Sequence, residues 1–201
     1  MKDLDRLAIK YGTDKHMNHH GFVKHYAAHF GHLRGKNINL LEIGVKNGAS
    51  LKMWQEYFPT IHITGIDILP KCKQYEKDNI TIYIGDQNSE GFLQQVGIGK
   101  GDFDIIIDDG SHRWNSQIEG FKTLFPYLKS GGIYVIEDLH TSFVGVGNRE
   151  GDNIYNVGQQ TCMEYLHELA DNLTKSRNKA NKSVDFESIH FYKAMAAIIK
   201  S

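Results

Sequence analysis

Short apolar runs of strand length recur along this chain, with amphipathic segments between them. The runs are NLLEIGV from Asn39, HITGIDI from His62, ITIYIGD from Ile80, FDIIIDD from Phe103, GIYVIEDL from Gly132, FESIHFY from Phe186 and MAAIIK from Met195. The segments ASLKMWQEYF, KCKQYEK, SEGFLQQV and NSQIEGFKTLFPYL space their apolar residues three and four apart, as helices with one buried face do. This alternation is typical of a parallel sheet with helices on both faces.

The last two runs are too close together for a helical crossover, so we expect them to form an antiparallel hairpin. The sequence therefore predicts a doubly wound α/β fold, with a seven-stranded, mostly parallel sheet that ends in this hairpin. Open sheets of this kind bind ligands at the carboxyl ends of their strands. Four of the first five runs end in an acid or in an acid with glycine, so we expect the chemistry at that edge.

The 201 residues suit one domain with a core that needs no disulfide or structural metal. Lys and Arg total 23 and Asp and Glu total 24, and the resulting formal charge of -1 argues against a nucleic-acid partner. The N-terminus lacks the apolar run of a secretory signal, and no stretch approaches the roughly 20 apolar residues of a membrane span. Cys72 and Cys162 have no metal-ligand spacing. We therefore expect a cytoplasmic protein that is not embedded in a membrane.

Residues 1–38 precede the first strand and predict one or two helices around the turn-forming YGTDK. We interpret them as a helical lid segment that caps the site of the domain formed by residues 39–201. The segment holds six of the eleven histidines, and a zinc site on one helical face is one interpretation. Because no cysteine accompanies these histidines, surface or pocket-lining roles are favoured. Residues 142–158 are glycine-rich and predict either a loop over the acceptor or a surface insertion.

The first strand-to-helix turn, within LLEIGVKNGAS, contains Glu42, Gly44 and Gly48. A residue without Cβ at such a turn lets the backbone approach a ligand, and the N–H groups of the following helix face it. The position two after Gly44 is Lys46, so the G-x-G-x-x-G pattern of dinucleotide-binding turns is poorly matched. The turn therefore favours a ligand other than NAD.

The next two strands also end in polar residues that suit a nucleoside. Asp67 ends the second strand, where a carboxylate can accept hydrogen bonds from both ribose hydroxyls. Asp86 and Gln87 end the third, where they can accept from and donate to an adenine edge. The alternative is that Asp67 and Asp86 only cap the helices that follow them.

These three strand ends resemble the class I S-adenosylmethionine-dependent methyltransferases, whose first motif is E/D-x-G-x-x-x-G. The predicted seven strands with a terminal hairpin agree with that family. The resemblance implies a Rossmann-like domain that binds S-adenosylmethionine, with Glu42 and Gly44 at the methionine end. It also implies that Asp67 binds the ribose and that Asp86 and Gln87 bind the adenine.

The fourth and fifth strands end in IIIDDGSH and YVIEDLH, whose ionisable residues are Asp108, Asp109, His112, Glu137, Asp138 and His140. Carboxylates that converge at one edge repel each other, and a divalent cation such as Mg²⁺ relieves that repulsion with oxygen ligands. Successive strand residues point to opposite faces, so Asp108 and Asp109 cannot both face one ion, and Asp109 lies nearer the turn. The alternative is structural, with DDGSH as a type I turn and Asp138 as a cap.

The resemblance narrows to the macrocin and mycinamicin sugar O-methyltransferases through YGTDK, LEIGV, GIDI, GDQ, IDDGSH and EDLHTS. It implies that Asp109, Glu137 and Asp138 bind Mg²⁺, that Asp109 takes part in catalysis, and that His112 is the general base. His140, at the equivalent strand end, is a second candidate for the base.

Within YGTDK, the same resemblance suggests that Tyr11, Thr13 and Lys15 close over the cofactor, with Lys15 paired to a carboxylate. The sequence by itself indicates only a turn there.

The expected function is Mg²⁺-dependent methyl transfer from S-adenosylmethionine to a sugar hydroxyl of a glycosylated natural product or surface saccharide. A cation favours the alkoxide of such a hydroxyl, an imidazole accepts its proton, and catalysis then depends on holding the oxygen against the donor methyl. One alternative is a catechol-like phenol acceptor, whose lower pKa would need His112 less. Another is a non-catalytic nucleotide-binding module, although such a module needs no concentration of carboxylates. A homo-oligomer is left open.

Overall fold

The computed structural model describes residues 2–143, 160–175 and 185–201. Its seven-stranded sheet has the order β3-β2-β1-β4-β5-β7-β6. The strands are β1 Ile38–Ile43, β2 Ile61–Asp67, β3 Ile80–Ile84, β4 Phe103–Asp108, β5 Leu128–Ile136, β6 Phe186–Tyr192 and β7 Met195–Lys200. Strands β1 to β5 run parallel, whereas β7 pairs antiparallel with both β5 and β6. The predicted doubly wound sheet and its terminal hairpin are confirmed.

The α-helices lie before and between these strands. They are α1 Lys2–Tyr11, α2 Val23–Phe30, α3 Ala49–Tyr57, α4 Glu90–Lys100, α5 Trp114–Leu124 and α6 Cys162–Lys175. The segment KCKQYEK, whose spacing predicts an α-helix, instead has its first five residues in a 3-10 helix, Pro70–Tyr75, and its last two beyond that helix. It is only six residues long and buries one side chain, Cys72, which is too little apolar contact to hold a longer helix.

Alternation along the central strands divides the buried apolar residues into two cores. In β4, Ile105 and Ile107 pack on one face of the sheet and Ile106 on the other. The first core contains buried residues of α1, α2 and α3, and the second contains those of α4, α5 and α6. Each core buries well over ten apolar side chains, so the sheet is covered on both faces.

The N-terminal segment contributes to the first of these cores. Leu4, Phe22, Tyr26 and Phe30 are each no more than 1% exposed and pack there with residues of β1 and α3. This packing fixes the turn between α1 and α2 against the carboxyl edge of the sheet. Whether the segment acts as a lid stays a prediction. Among the described residues, the longest apolar helices fall short of what a membrane span needs.

Candidate active site at the carboxyl edge of the sheet

The turn after β1 lies against the end of β4. Gly44 has φ +96°, and a Cβ built on it would lie 2.0 Å from the Asp109 carbonyl oxygen. The Gly44 N–H donates to the Ile66 carbonyl. Glycine is therefore required here because the protein's own backbone fills the space a side chain would need. Contact between Gly44 and the cofactor stays a prediction.

Glu42 is fully buried beneath this turn. Within the described residues, neither of its carboxylate oxygens has a hydrogen bond of normal geometry, although Ser50 and Trp54 lie beside it. Burial raises the pKa of Glu42 to about 7, and the charge of Lys15 opposes that rise. Burial makes the ionised form of Glu42 costly, and this cost outweighs the stabilising effect of Lys15, Ser50 and Trp54 on that form.

Asp67, at the end of β2, is bound by backbone groups of the protein. It accepts hydrogen bonds from the N–H groups of Val45 and Lys46 at 2.9 and 2.8 Å, and from that of Leu69 at 2.8 Å. These contacts tie the β1 turn to the β2 end. The 3-10 helix that follows β2 has no side-chain cap, so Asp67 does not cap it as the alternative expected. The ribose role of Asp67 stays a prediction.

The two residues after β3 have different environments. Asp86 is exposed, and its side chain accepts hydrogen bonds from the backbone and side chain of Asn88 at 2.9 and 2.8 Å, while its carbonyl accepts from the Ser89 N–H. Gln87 is buried, and its Oε1 accepts from the Ser111 N–H at 2.7 Å. Gln87 thereby connects the β3 end to the DDGSH turn, and its adenine role, like that of Asp86, stays a prediction.

Asp109, His112 and Asp138 come together where β4 and β5 end. One ligand atom from each lies within 4.8 Å of those of the other two, and within the described ranges no other three histidine, cysteine or acidic residues meet in this way. His112 Nε2 lies 3.3 Å from Asp138 Oδ2. Among the described residues, the N-terminal histidines form no such group, and their surface or pocket-lining roles stay a prediction.

The backbone and the polar atoms of this cluster indicate a site built for a ligand. His112 and Asp138 both have φ +56°, a conformation that costs free energy in a residue with a Cβ. His112 Nδ1 and Asp138 Oδ1 are buried, and no described residue gives either atom a hydrogen bond. The side chains of Asp109, His112 and Asp138 are 21%, 30% and 15% exposed, respectively. A small ligand can therefore reach them. Two carboxylates fit a divalent cation, and an imidazole beside them fits a proton acceptor.

The fourth candidate, Glu137, faces the N-terminal segment. Lys15, with 1% side-chain exposure, places Nζ 2.7 Å from Glu137 Oε2 and 2.5 Å from Asp109 Oδ2. The Tyr26 hydroxyl donates to Glu137 Oε1. Burial lowers the pKa of Lys15, but the two carboxylates more than offset it and hold that pKa well above its usual value. Glu137 as a metal ligand stays a prediction, since both of its oxygens have protein partners.

Other predicted residues lie around this cluster. Asp108 is fully buried, and its side-chain Oδ2 lies near the Cβ position of Gly120 in α5, on the face opposite Asp109, as strand alternation predicts. Tyr11 donates its hydroxyl to Glu56. Thr13 Oγ1 lies 3.4 Å from the Lys15 N–H.

His140 Nδ1 lies 3.6 Å from Asp138 Oδ1, so it remains the second candidate for the base. The cofactor roles of Tyr11 and Thr13 stay predictions. Most of the glycine-rich segment 142–158 lies outside the described residues.

Two residues of the site carry no motif that would have identified them. Tyr26 lies in α2, and only the fold brings it to Glu137, which is 111 positions away. His20 lies near enough to Asp138 to feel its charge, although burial is the larger influence and lowers the pKa of His20. In the sequence, only the cluster of histidines before α2 pointed to His20 as a site residue.

Comparison with known proteins identifies relatives but no matching family model. A tetracenomycin rhamnosyl 3'-O-methyltransferase of Streptomyces olivaceus is 43% identical over 148 residues, which are 70% of this chain and 38% of that protein. Demethylmacrocin O-methyltransferase of Streptomyces fradiae is 38% identical over 179 residues, 85% of this chain and 44% of that protein.

Among solved structures, the MycE methyltransferase of the mycinamycin biosynthetic pathway superposes with a TM-score of 0.86 and 33% identity. The superposition covers 98% of this chain and 53% of MycE, so the chain spans about half the length of such relatives or less. The sheet order and the sequence identity together make this chain a homologue of the macrocin and mycinamicin sugar O-methyltransferases, with the class I S-adenosylmethionine-dependent methyltransferase fold.

Proposed function

We propose that this chain is an O-methyltransferase that uses S-adenosylmethionine and a divalent cation such as Mg²⁺ to methylate a sugar hydroxyl of a glycosylated natural product. The observation that carries the proposal is the meeting of Asp109, His112 and Asp138 at the carboxyl ends of β4 and β5. The relatives support the donor, the ion and the acceptor class, because MycE was solved with Mg, S-adenosylhomocysteine and mycinamycin VI.

Asp109 and Asp138 are the side chains that would hold the cation. Both carry carboxylates that remain partly exposed, and Asp138 Oδ1 has no hydrogen-bond partner in the described structure. A bound divalent cation supplies positive charge that favours the deprotonated form of an acceptor hydroxyl. Glu137 would join as a ligand only by exchanging its contact with Lys15 or Tyr26.

His112 would accept the proton of the acceptor hydroxyl at Nε2. This is the ring nitrogen near Asp138 Oδ2, whereas Nδ1 is buried. The carboxylate of Asp138 would stabilise the imidazolium that forms. The acceptor oxygen bonds to the donor methyl carbon as the bond from carbon to sulfur breaks, and S-adenosylhomocysteine leaves.

The turns after β1 and β2 would bind the donor nucleoside. They adjoin the cation cluster, because Gly44 lies against the backbone of Asp109 and β1 pairs with β4. This neighbourhood would put the donor methyl beside the acceptor oxygen, and holding two reactants in line lowers the barrier by fixing their orientation. The cytoplasmic setting and the homo-oligomer remain predictions.

The proposal can be tested with S-adenosylmethionine, Mg²⁺ or a chelator, and three acceptors: mycinamicin VI, demethylmacrocin and catechol. We expect a methylated glycoside by mass spectrometry only when the cation is present. The variant Asp109→Asn should keep its affinity for S-adenosylhomocysteine and lose turnover. Full turnover in chelator would contradict the cation, and methylation of catechol alone would favour the phenol alternative.

A further inference from the structure

Lys15 is a buried charge placed among acids. It comes from the turn between α1 and α2, yet its Nζ contacts Asp109 and Glu137, which are 94 and 122 positions away. Glu42 is close enough for its charge to act on Lys15 as well. Lysine is almost never fully buried unless it is paired, so this ammonium is part of the site and not of the core.

Asp109 belongs to two groups at once. Its Oδ2 contacts Lys15 Nζ at 2.5 Å, and its carboxylate also completes the candidate cation cluster with His112 and Asp138. An ammonium and a divalent cation held by one carboxylate repel each other, and the repulsion is strong where water is excluded. The lysine must therefore affect how tightly a cation binds.

We propose that Lys15 is a resident cation of this site, which occupies the Asp109–Glu137 pair and limits the affinity for divalent metal. The inference rests on the proposed function, because it concerns the cation that function requires. Its consequence is a metal that exchanges with solvent, since the single positive charge of Lys15 already offsets one of the two negative charges of Asp109 and Glu137 before any metal arrives. Lys15 is thus a positioning and charge-setting residue, outside direct contact with the acceptor.

The test is isothermal calorimetry with Mn²⁺ on the full chain, comparing the unsubstituted protein with Lys15→Met and Lys15→Arg. We expect Lys15→Met to bind Mn²⁺ about tenfold more tightly or with one additional equivalent, because repulsion is removed. Lys15→Arg keeps the charge and should stay within about threefold of the unsubstituted affinity. The matched control Lys10→Met removes an exposed ion pair with Glu56 and should change nothing. Unchanged or weaker Mn²⁺ binding by Lys15→Met would overturn the inference.

A second measurement needs no substitution, and so does not depend on whether Lys15→Met folds. The buried ammonium of Lys15 should give a protected ¹⁵N NMR signal, and a saturating Mg²⁺ titration should shift it. A signal that stays in place while Mg²⁺ binds would refute the shared occupation of Asp109.

Failure of the inference can be told apart from failure of the proposed function. If the unsubstituted protein binds Mn²⁺ and Lys15→Met binds it equally, only the role of Lys15 is lost. If Lys15→Met binds Mn²⁺ and the unsubstituted protein does not, Lys15 replaces the metal, and the cation requirement in the proposed function is wrong. If neither binds, both are wrong.

Discussion

The two halves of the carboxyl edge differ in how well their polar groups are satisfied. At the ends of β2 and β3, Asp67 accepts three backbone hydrogen bonds and Asp86 accepts two from Asn88. At the ends of β4 and β5, His112 and Asp138 have positive φ and buried atoms that lack a hydrogen bond to any described residue. The described carboxylates of the first half have their hydrogen-bond donors, whereas the second half holds backbone strain and single buried polar atoms without a hydrogen bond, both of which a ligand would relieve.

Glu42 lies on the border between these halves, since β1 pairs with both β2 and β4. Like the atoms of the second half, its carboxylate oxygens lack hydrogen bonds to the described residues. The turn above it is instead held by backbone hydrogen bonds, as the first half is. The contrast indicates that substitutions around β4 and β5 should change chemistry, and that those around β2 should change folding and donor binding.

The largest expected effect is on catalysis in the second half. Replacing His112 with Ala should lower methylation of a glycoside by about 10² to 10⁴-fold, because the hydroxyl loses its proton acceptor. Binding of S-adenosylhomocysteine should not change, which calorimetry can check. His140→Ala is the control, and a larger loss there would move the base to His140. Activity that survives in His112→Ala would favour a phenol acceptor.

The next effect is on stability. Replacing Lys15 with Met should lower the free energy of unfolding by about 3–5 kcal/mol without metal, because two buried or half-buried carboxylates lose their countercharge. Urea unfolding at pH 7 in chelator measures it. Lys10→Met, which breaks an exposed pair, should cost less than about 1 kcal/mol. Equal losses of unfolding free energy in the two variants would contradict the pairing of Lys15 with buried carboxylates.

Glu42 should make the free energy of unfolding depend on pH, by an amount similar to or smaller than the effect of Lys15→Met. Burial raises its pKa to about 7 from an ordinary value of 4.5, so the folded state binds this proton more tightly than the unfolded state. The stabilisation that this proton gives the folded state is therefore fully present below pH 4.5 and is lost as pH rises through 7. The loss amounts to about 3 kcal/mol. Glu42→Gln should reduce the fall in unfolding free energy between pH 5 and 8.

Burial also raises the pKa of Asp108 to about 6, so Asp108 adds its own fall in the free energy of unfolding as pH rises. Glu42→Gln leaves that fall in place. The control for Glu42 is Glu56→Gln, since Glu56 is bound by Lys10 at the surface and the Lys10 hydrogen bond lowers its pKa. A pH profile of Glu42→Gln identical to that of the unsubstituted protein would contradict the assignment.

The smallest effect is expected in the first half. Asp67→Ala should cost about 2 kcal/mol of stability, since three N–H groups lose a charged acceptor. It should also weaken S-adenosylhomocysteine binding. Asp86→Ala, at an exposed position, should leave stability within about 0.5 kcal/mol. Unchanged donor affinity in Asp67→Ala would show that the ribose lies elsewhere.

The sequence predicted the parts of the molecule that depend on local pattern. The short apolar runs predicted the seven strands, and alternation along β4 correctly separated Asp108 from Asp109. The pairing of Lys15 with an acid, suggested by the resemblance, is confirmed by its contact with Asp109. These features follow from the residues themselves or from short motifs.

Long-range contacts were beyond the sequence. Tyr26 reaches Glu137 only because α2 packs on the first core, and nothing near Tyr26 in sequence marks it. The reason for Gly44 is the carbonyl of Asp109, which the fold brings from 65 positions away. The segment before β3 spaces its apolar residues as an α-helix does, but its single buried residue, Cys72, supports only a 3-10 helix.

The claim on which the account depends is that a divalent cation binds where β4 and β5 end. Crystals grown with S-adenosylhomocysteine and soaked in Mn²⁺ would test it by anomalous scattering. We expect a peak within about 2.5 Å of carboxylate oxygens of Asp109 and Asp138. A peak elsewhere, or none at saturating Mn²⁺ with the donor site filled, would contradict it.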